Sequence, residues 1–117
     1  ITEMESFLVL FYILDQCYEL CQENDLGGFL GVISPELWND GKPMDMAIYN
    51  DWKTQNEGEK MDKTNIVQRI YKFLELYEEQ FGYDFTQTKE IITNNLTNDM
   101  IQNAIKYAQC MKVDTLM

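Results

Sequence analysis

A chain of 117 residues with 45% hydrophobic and 13% aromatic content is too short for several domains and too apolar to stay disordered. Its 20 acidic residues against 9 basic ones give a net charge of −11, which repels phosphate backbones and anionic membrane surfaces and speeds encounter with a basic protein. With no histidine, the commonest general base and metal ligand are missing, and three cysteines alone cannot complete a four-ligand zinc site.

The first predicted helix runs from about Thr2 to Asn24. Met4, Phe7, Leu8, Phe11, Leu14, Tyr18 and Cys21 form one apolar stripe, and Leu10, Ile13, Cys17 and Leu20 form a second beside it. Two adjacent stripes predict a central, mostly buried helix. Asn24, Gly27 and Gly28 are read as its stop signals. The apolar run Phe7 to Leu14 is too short to span a bilayer, and Glu3 and Glu5 stand where a signal peptide would be basic. The chain opens at Ile1, which leaves a targeting segment upstream open.

Asp25 to Gln55 is then expected to be irregular. It holds four of the six glycines, both prolines and both tryptophans. Ser34-Pro35-Glu36 reads as a short helix start, with Ser34 as N-cap and Pro35 at the first helical position. Asn39-Asp40-Gly41 is turn chemistry. Asp45 caps a further helix, about Met46 to Thr54, with Ile48, Tyr49 and Trp52 on one side. The second long helix covers about Lys63 to Phe81, capped by Asp62 or Thr64. Its stripe is Ile66, Val67, Ile70, Phe73, Leu74, Tyr77 and Phe81, and Gly82 ends it. A shorter helix covers Thr88 to Asn94. A last one covers about Asp99 to Met111, capped by Thr97 or Asn98, with Ile101, Ala104, Ile105 and Ala108 inward; the tail from Val113 frays. No useful period-two alternation occurs. The expectation is one all-α domain over residues 1–117, a bundle of about five helices with an irregular segment after the first.

Chemical signals are sparse. Cys17, Cys21 and Cys110 are an odd set, best read as reduced packing residues of a cytoplasmic protein. The acidic and amide residues near Asp40 do not match the calcium-loop register, and no phosphate-binding glycine motif is present. No catalytic, cofactor or metal residue is therefore assigned. Trp38, Tyr49 and Trp52, rimmed by Asp40, Asp45 and Asp51, make the candidate partner-binding surface, because tryptophan and tyrosine dominate interface hot spots. The competing reading folds both tryptophans into the core.

The run Leu30-Gly31-x-x-Ser34-Pro35-x-Leu37-Trp38-x-Asp40-Gly41-x-Pro43-x-Asp45-x-Ala47-x-x-x-Asp51-Trp52 resembles a motif of small, acidic, all-helical bacterial proteins of unassigned function. Such proteins resemble, in general type, the immunity proteins that block secreted toxins by binding them. The resemblance implies a non-enzymatic protein-binding module that occludes a basic partner, and it carries no catalytic residue. The alternative reading is a carboxylate-dependent hydrolase, with or without a divalent ion, built from Glu36, Asp40, Asp45 and Asp51. A third is a structural homo-oligomer.

Overall fold

The computed structural model describes residues 1–38, 43 and 45–116, with side chains on all of these except Leu37 and 111–116. Among the described residues there are six α-helices and no strand: α1 (Glu3–Cys21), α2 (Asn24–Ile33), α3 (Met46–Gln55), α4 (Ile66–Phe81), α5 (Thr86–Asn94) and α6 (Asn98–Leu116). The all-α expectation holds, and none of these helices is long and apolar enough to cross a membrane.

Helix α1 begins in a capping box. Thr2 Oγ1 accepts from Glu5 N (3.1 Å), and Glu5 Oε1 accepts from Thr2 N (2.8 Å). Its middle is buried all round, as the double stripe requires, and it packs against α2, α3, α5 and α6. The outer stripe stops short of its end, where Leu20 is 61% exposed.

The chain leaves α1 earlier than expected. Gln22 takes a left-handed conformation (φ 49°) and donates its N–H to Tyr18 O at 2.8 Å. A new helix then starts at Asn24. Residues 25–33, expected to be irregular, are thus helical, and Gly27 and Gly28 lie inside α2 rather than ending α1. Three interior glycines cost about 3 kcal/mol of helix propensity. Burial of Leu26, Phe29, Leu30 and Ile33 contributes more, about 1.5–3 kcal/mol each. Gly27 also has a steric reason: a Cβ there would sit 2.9 Å from Tyr18 Cε1.

Ser34 caps a single 3₁₀ turn, Pro35–Leu37, its Oγ accepting from Glu36 N at 3.3 Å. The Asn39-Asp40-Gly41 turn lies outside the described residues. Asp45 Oδ1 accepts from Ile48 N (3.1 Å) and starts α3 where the sequence places it.

Arg69 then ties the end of α3 to α4. Its Nε donates to Asn56 Oδ1 (2.8 Å) and its Nη2 to Gln55 O (2.9 Å), while Gln55 Nε2 donates to Arg69 O (2.9 Å). Helix α4 starts three residues later than expected because Asp62 holds a turn, accepting from both the amide and the hydroxyl of Thr64. Ile66, Ile70, Phe73, Leu74 and Tyr77 are its buried face, and Gly82 (φ 75°) ends it.

Helix α5 starts two residues before the expected Thr88. Helix α6 is capped by Thr97 Oγ1, which accepts from Met100 N (3.2 Å), and continues to Leu116 beyond the expected Met111. Ala104 and Ala108 are fully buried, which lets α6 lie close to α1.

Candidate functional site

Helix α3 divides the candidate residues between core and surface. Residues 48, 49 and 52 share one side of it, and that side faces inward. Trp52 is 0% exposed, and its Nε1 donates to Ser6 Oγ on α1 at 2.9 Å. Its ring meets Phe73 of α4 edge-on, with centroids 5.2 Å apart. Tyr49 is 6% exposed and packs edge-on against Phe7 at 5.1 Å. These two residues leave the candidate surface: they are core, and no partner can reach them in this fold. Burial explains the choice, since large rings at the i and i+3 positions of a short helix are what hold it against its neighbours.

Trp38 is intermediate. It is half-buried and stacks on Phe7, with centroids 6.2 Å apart and planes 23° from parallel. Its Nε1 is buried without a hydrogen-bond partner among the described residues. Asp40 lies outside the described residues.

Asp45 and Asp51 are half-buried and line one open groove of about 320 Å³. Its other walls are Ala47 and Ile48 of α3, Tyr77 and Phe81 of α4, and Tyr83 just after Gly82. That volume is at the small end of ligand pockets, roughly 300–1,000 Å³. Asp51 Oδ2 accepts from Tyr77 Oη at 2.7 Å, which fixes the carboxylate. Tyr77 in turn packs on Phe81 (4.8 Å) and stacks with Tyr83 (6.1 Å, 26°). Burial first, then the bond to Asp51 and the charges of Asp51, Asp45 and Tyr83, hold the Tyr77 phenol well above its ordinary range. It therefore stays a hydrogen-bond donor at neutral pH. Phe81 is 58% exposed at the mouth of the groove.

The aromatic wall was not legible as a site. Tyr77 and Phe81 belong to the apolar stripe of the second long helix, and the stripe alone reads as core. The available signal was the aromatic spacing across Gly82, which brings Tyr83 back beside Tyr77.

Of the carboxylates that a hydrolase would need together, Glu36 is in a different groove, with Phe11, Asp15 and Gly31. Burial, then the charge of Glu19, raises the Asp15 carboxyl above its usual range. Asp45 and Asp51 do share a groove, but one oxygen of each already has a structural partner. Among the described residues no three acidic or cysteine side chains cluster to hold a metal ion. Cys17, Cys21 and Cys110 are all free thiols. Burial, then Cys21, pushes the Cys17 thiol up to about 12.

Comparison with models of known protein families, with curated proteins and with solved structures finds no match to this chain.

Proposed function

We propose that this chain is a non-enzymatic protein-binding module that occludes a basic protein partner, in the general manner of a toxin-immunity protein, and that it acts in the cytoplasm. One observation carries this reading: two carboxylates and an exposed phenylalanine share a groove on a chain of net charge −11. The charge steers a cationic partner into encounter, and the aromatic edge supplies contact area that survives desolvation. The same charge opposes pairing of two copies through this face. The contact surface is revised from the sequence reading: Asp45 and Asp51 stay, Tyr49 and Trp52 go, and Phe81 and Tyr83 enter.

The test is affinity capture from the native cell lysate at low and high salt, read by mass spectrometry. A basic protein held at low salt and weakened at high salt supports the reading. Capture of no protein at either salt overturns it.

A carboxylate-dependent hydrolase is the second reading, favoured by the shared groove of Asp45 and Asp51. It requires one of the two to be released from its structural bond. Turnover of any glycoside or ester substrate that is lost in Asp51→Asn would move the assignment to it.

A further inference from the structure

The geometry points to an arginine side chain of the basic protein partner as the occupant of the groove between α3 and α4, its guanidinium lying against Phe81 and Tyr83 and pairing with Asp51 and Asp45. This rests on the protein-binding reading and specifies its chemistry.

Charge complementarity comes first. None of the described residues that line the groove is basic. Asp51 spends Oδ2 on Tyr77 and Asp45 spends Oδ1 on Ile48 N, so each keeps one oxygen without a partner among the described residues. The nearby Lys53 is engaged elsewhere, over the Tyr49 ring at 5.2 Å.

Helix ends modify this balance without reversing it. Phe81 is the last residue of α4, so the negative end of that helix dipole borders the groove. The positive end of α3 also borders it, beneath the Asp45 cap. Each end amounts to about half a charge, so the two ends offset one another. Two full carboxylate charges remain, and they favour a cation.

The rings decide which cation. A lysine ammonium is compact and strongly hydrated, and it gains little from several aromatic faces at once. A guanidinium is planar, weakly hydrated and stacks on rings while its edge donates to carboxylates. Tyr83 is half-buried and held in place by stacking on the buried Tyr77 ring, 26° from parallel, and Phe81 is 58% exposed at the same mouth. Rings plus a carboxylate fixed by the Tyr77 hydroxyl suit that planar fork.

The experiment titrates the isotope-labelled full chain with acetyl-Gly-Arg-Gly-amide and with the same peptide carrying lysine, following backbone amides by NMR at low salt. The expected result is saturable shifts confined to residues 45–51 and 77–83, with the arginine peptide about fivefold tighter than the lysine peptide. Asp51→Asn keeps an acceptor for Tyr77 but loses the charge, and Phe81→Ala removes only an exposed ring. Each should weaken the arginine peptide about fivefold. Equal affinity for the two peptides overturns the arginine assignment. So do shifts scattered over the acidic surface, insensitivity to Asp51→Asn, or no shift at all. Those results would leave the capture of a basic protein at low salt standing, so failure of the socket and failure of the binding reading are distinguishable.

Discussion

Glu23 and Thr88 are 65 positions apart in the chain, and the carboxylate of the first caps the helix that contains the second. Glu23 Oε1 accepts from Thr88 N (2.9 Å) and Thr88 Oγ1 (2.8 Å), and Oε2 accepts from Gln87 N (2.9 Å). Residue 85, at the N-cap position of α5, is a phenylalanine and cannot cap, so the cap comes from the α1–α2 junction. Asp25 and Glu78 do the same for neighbouring amides, accepting from Asp84 N (2.7 Å) and Phe85 N (2.9 Å). Three acidic side chains thus hold the loop between α4 and α5 against the rest of the bundle. Part of the large negative charge is structural for this reason.

Glu23→Ala removes three hydrogen bonds to a buried carboxylate. The expected loss is about 3 kcal/mol, or a fall in Tm of about 10 °C. Glu23→Gln, which keeps an acceptor oxygen, should lose about half as much. Urea unfolding checks both, and a Glu23→Ala cost under about 0.5 kcal/mol would contradict the cap.

The two tryptophans should respond differently to loss of the indole N–H. Trp52→Phe breaks the bond to Ser6 Oγ in the core and should cost about 1–2 kcal/mol. Trp38→Phe removes a buried donor that has no partner among the described residues, which offsets the lost ring area, and should change stability by under about 1 kcal/mol. The reverse order would contradict these placements. Fluorescence of the Trp38→Phe variant, which reports Trp52 alone, should be the more blue-shifted.

Glycines in α2 offer a third check. Gly28 and Gly31 have helical backbones, and a Cβ at either would meet no described residue within 4 Å. Each should gain about 0.5–1 kcal/mol on substitution by alanine. Gly27→Ala meets the Tyr18 ring at 2.9 Å and should gain nothing or lose stability. Thermal melts of the three variants test this, and an equal gain at all three would show that the α1–α2 approach is looser than described.

Local signals were legible where the chain carries its own cap or stripe. Ser34 and Asp45 cap where their residue types indicate, Gly82 ends α4, and the inward stripe of α4 is apolar as far as Tyr77. The break between α1 and α2 was not legible. It turns on Gln22 in a conformation that usually selects glycine, while the glycines that follow at 27 and 28 stay helical because Leu26, Phe29, Leu30 and Ile33 of the same helix are buried. The Glu23 cap was not legible either, since nothing near Glu23 in sequence names a partner 65 positions away. For the site, spacing put Tyr49 and Trp52 with Ile48 on one side of α3, and a shared side of a short helix in a small bundle is the buried side. The groove needs α4 beside α3, which no local pattern supplies.

Alkaline pH should weaken the fold with a defined shape. The folded state holds Cys17 up to about 12 from 9.0, so above pH 9 the unfolded chain releases a proton that the folded chain keeps. Stability is then full below pH 9 and falls as pH rises toward 12, by about 1.4 kcal/mol per pH unit for one group. Tyr77 is raised above 10.0 and adds a similar slope beyond that pH. Cys17→Ala should unfold more easily at neutral pH through its cavity, yet show a flatter decline between pH 9 and 10. Equal slopes in urea titrations of the two proteins would contradict the buried thiol.

The central claim, that the groove between α3 and α4 receives a basic partner, is tested most directly by a charge-matched pair of variants. Asp51→Lys reverses a charge in the groove, and Glu90→Lys makes the same change at an exposed position on α5. Both are used as bait for the partner captured by the wild-type chain, with circular dichroism confirming the fold. The account predicts that Asp51→Lys loses the partner while Glu90→Lys retains it at low salt. Retention by both, or equal loss by both, would contradict it, because net charge and not the groove would then govern binding.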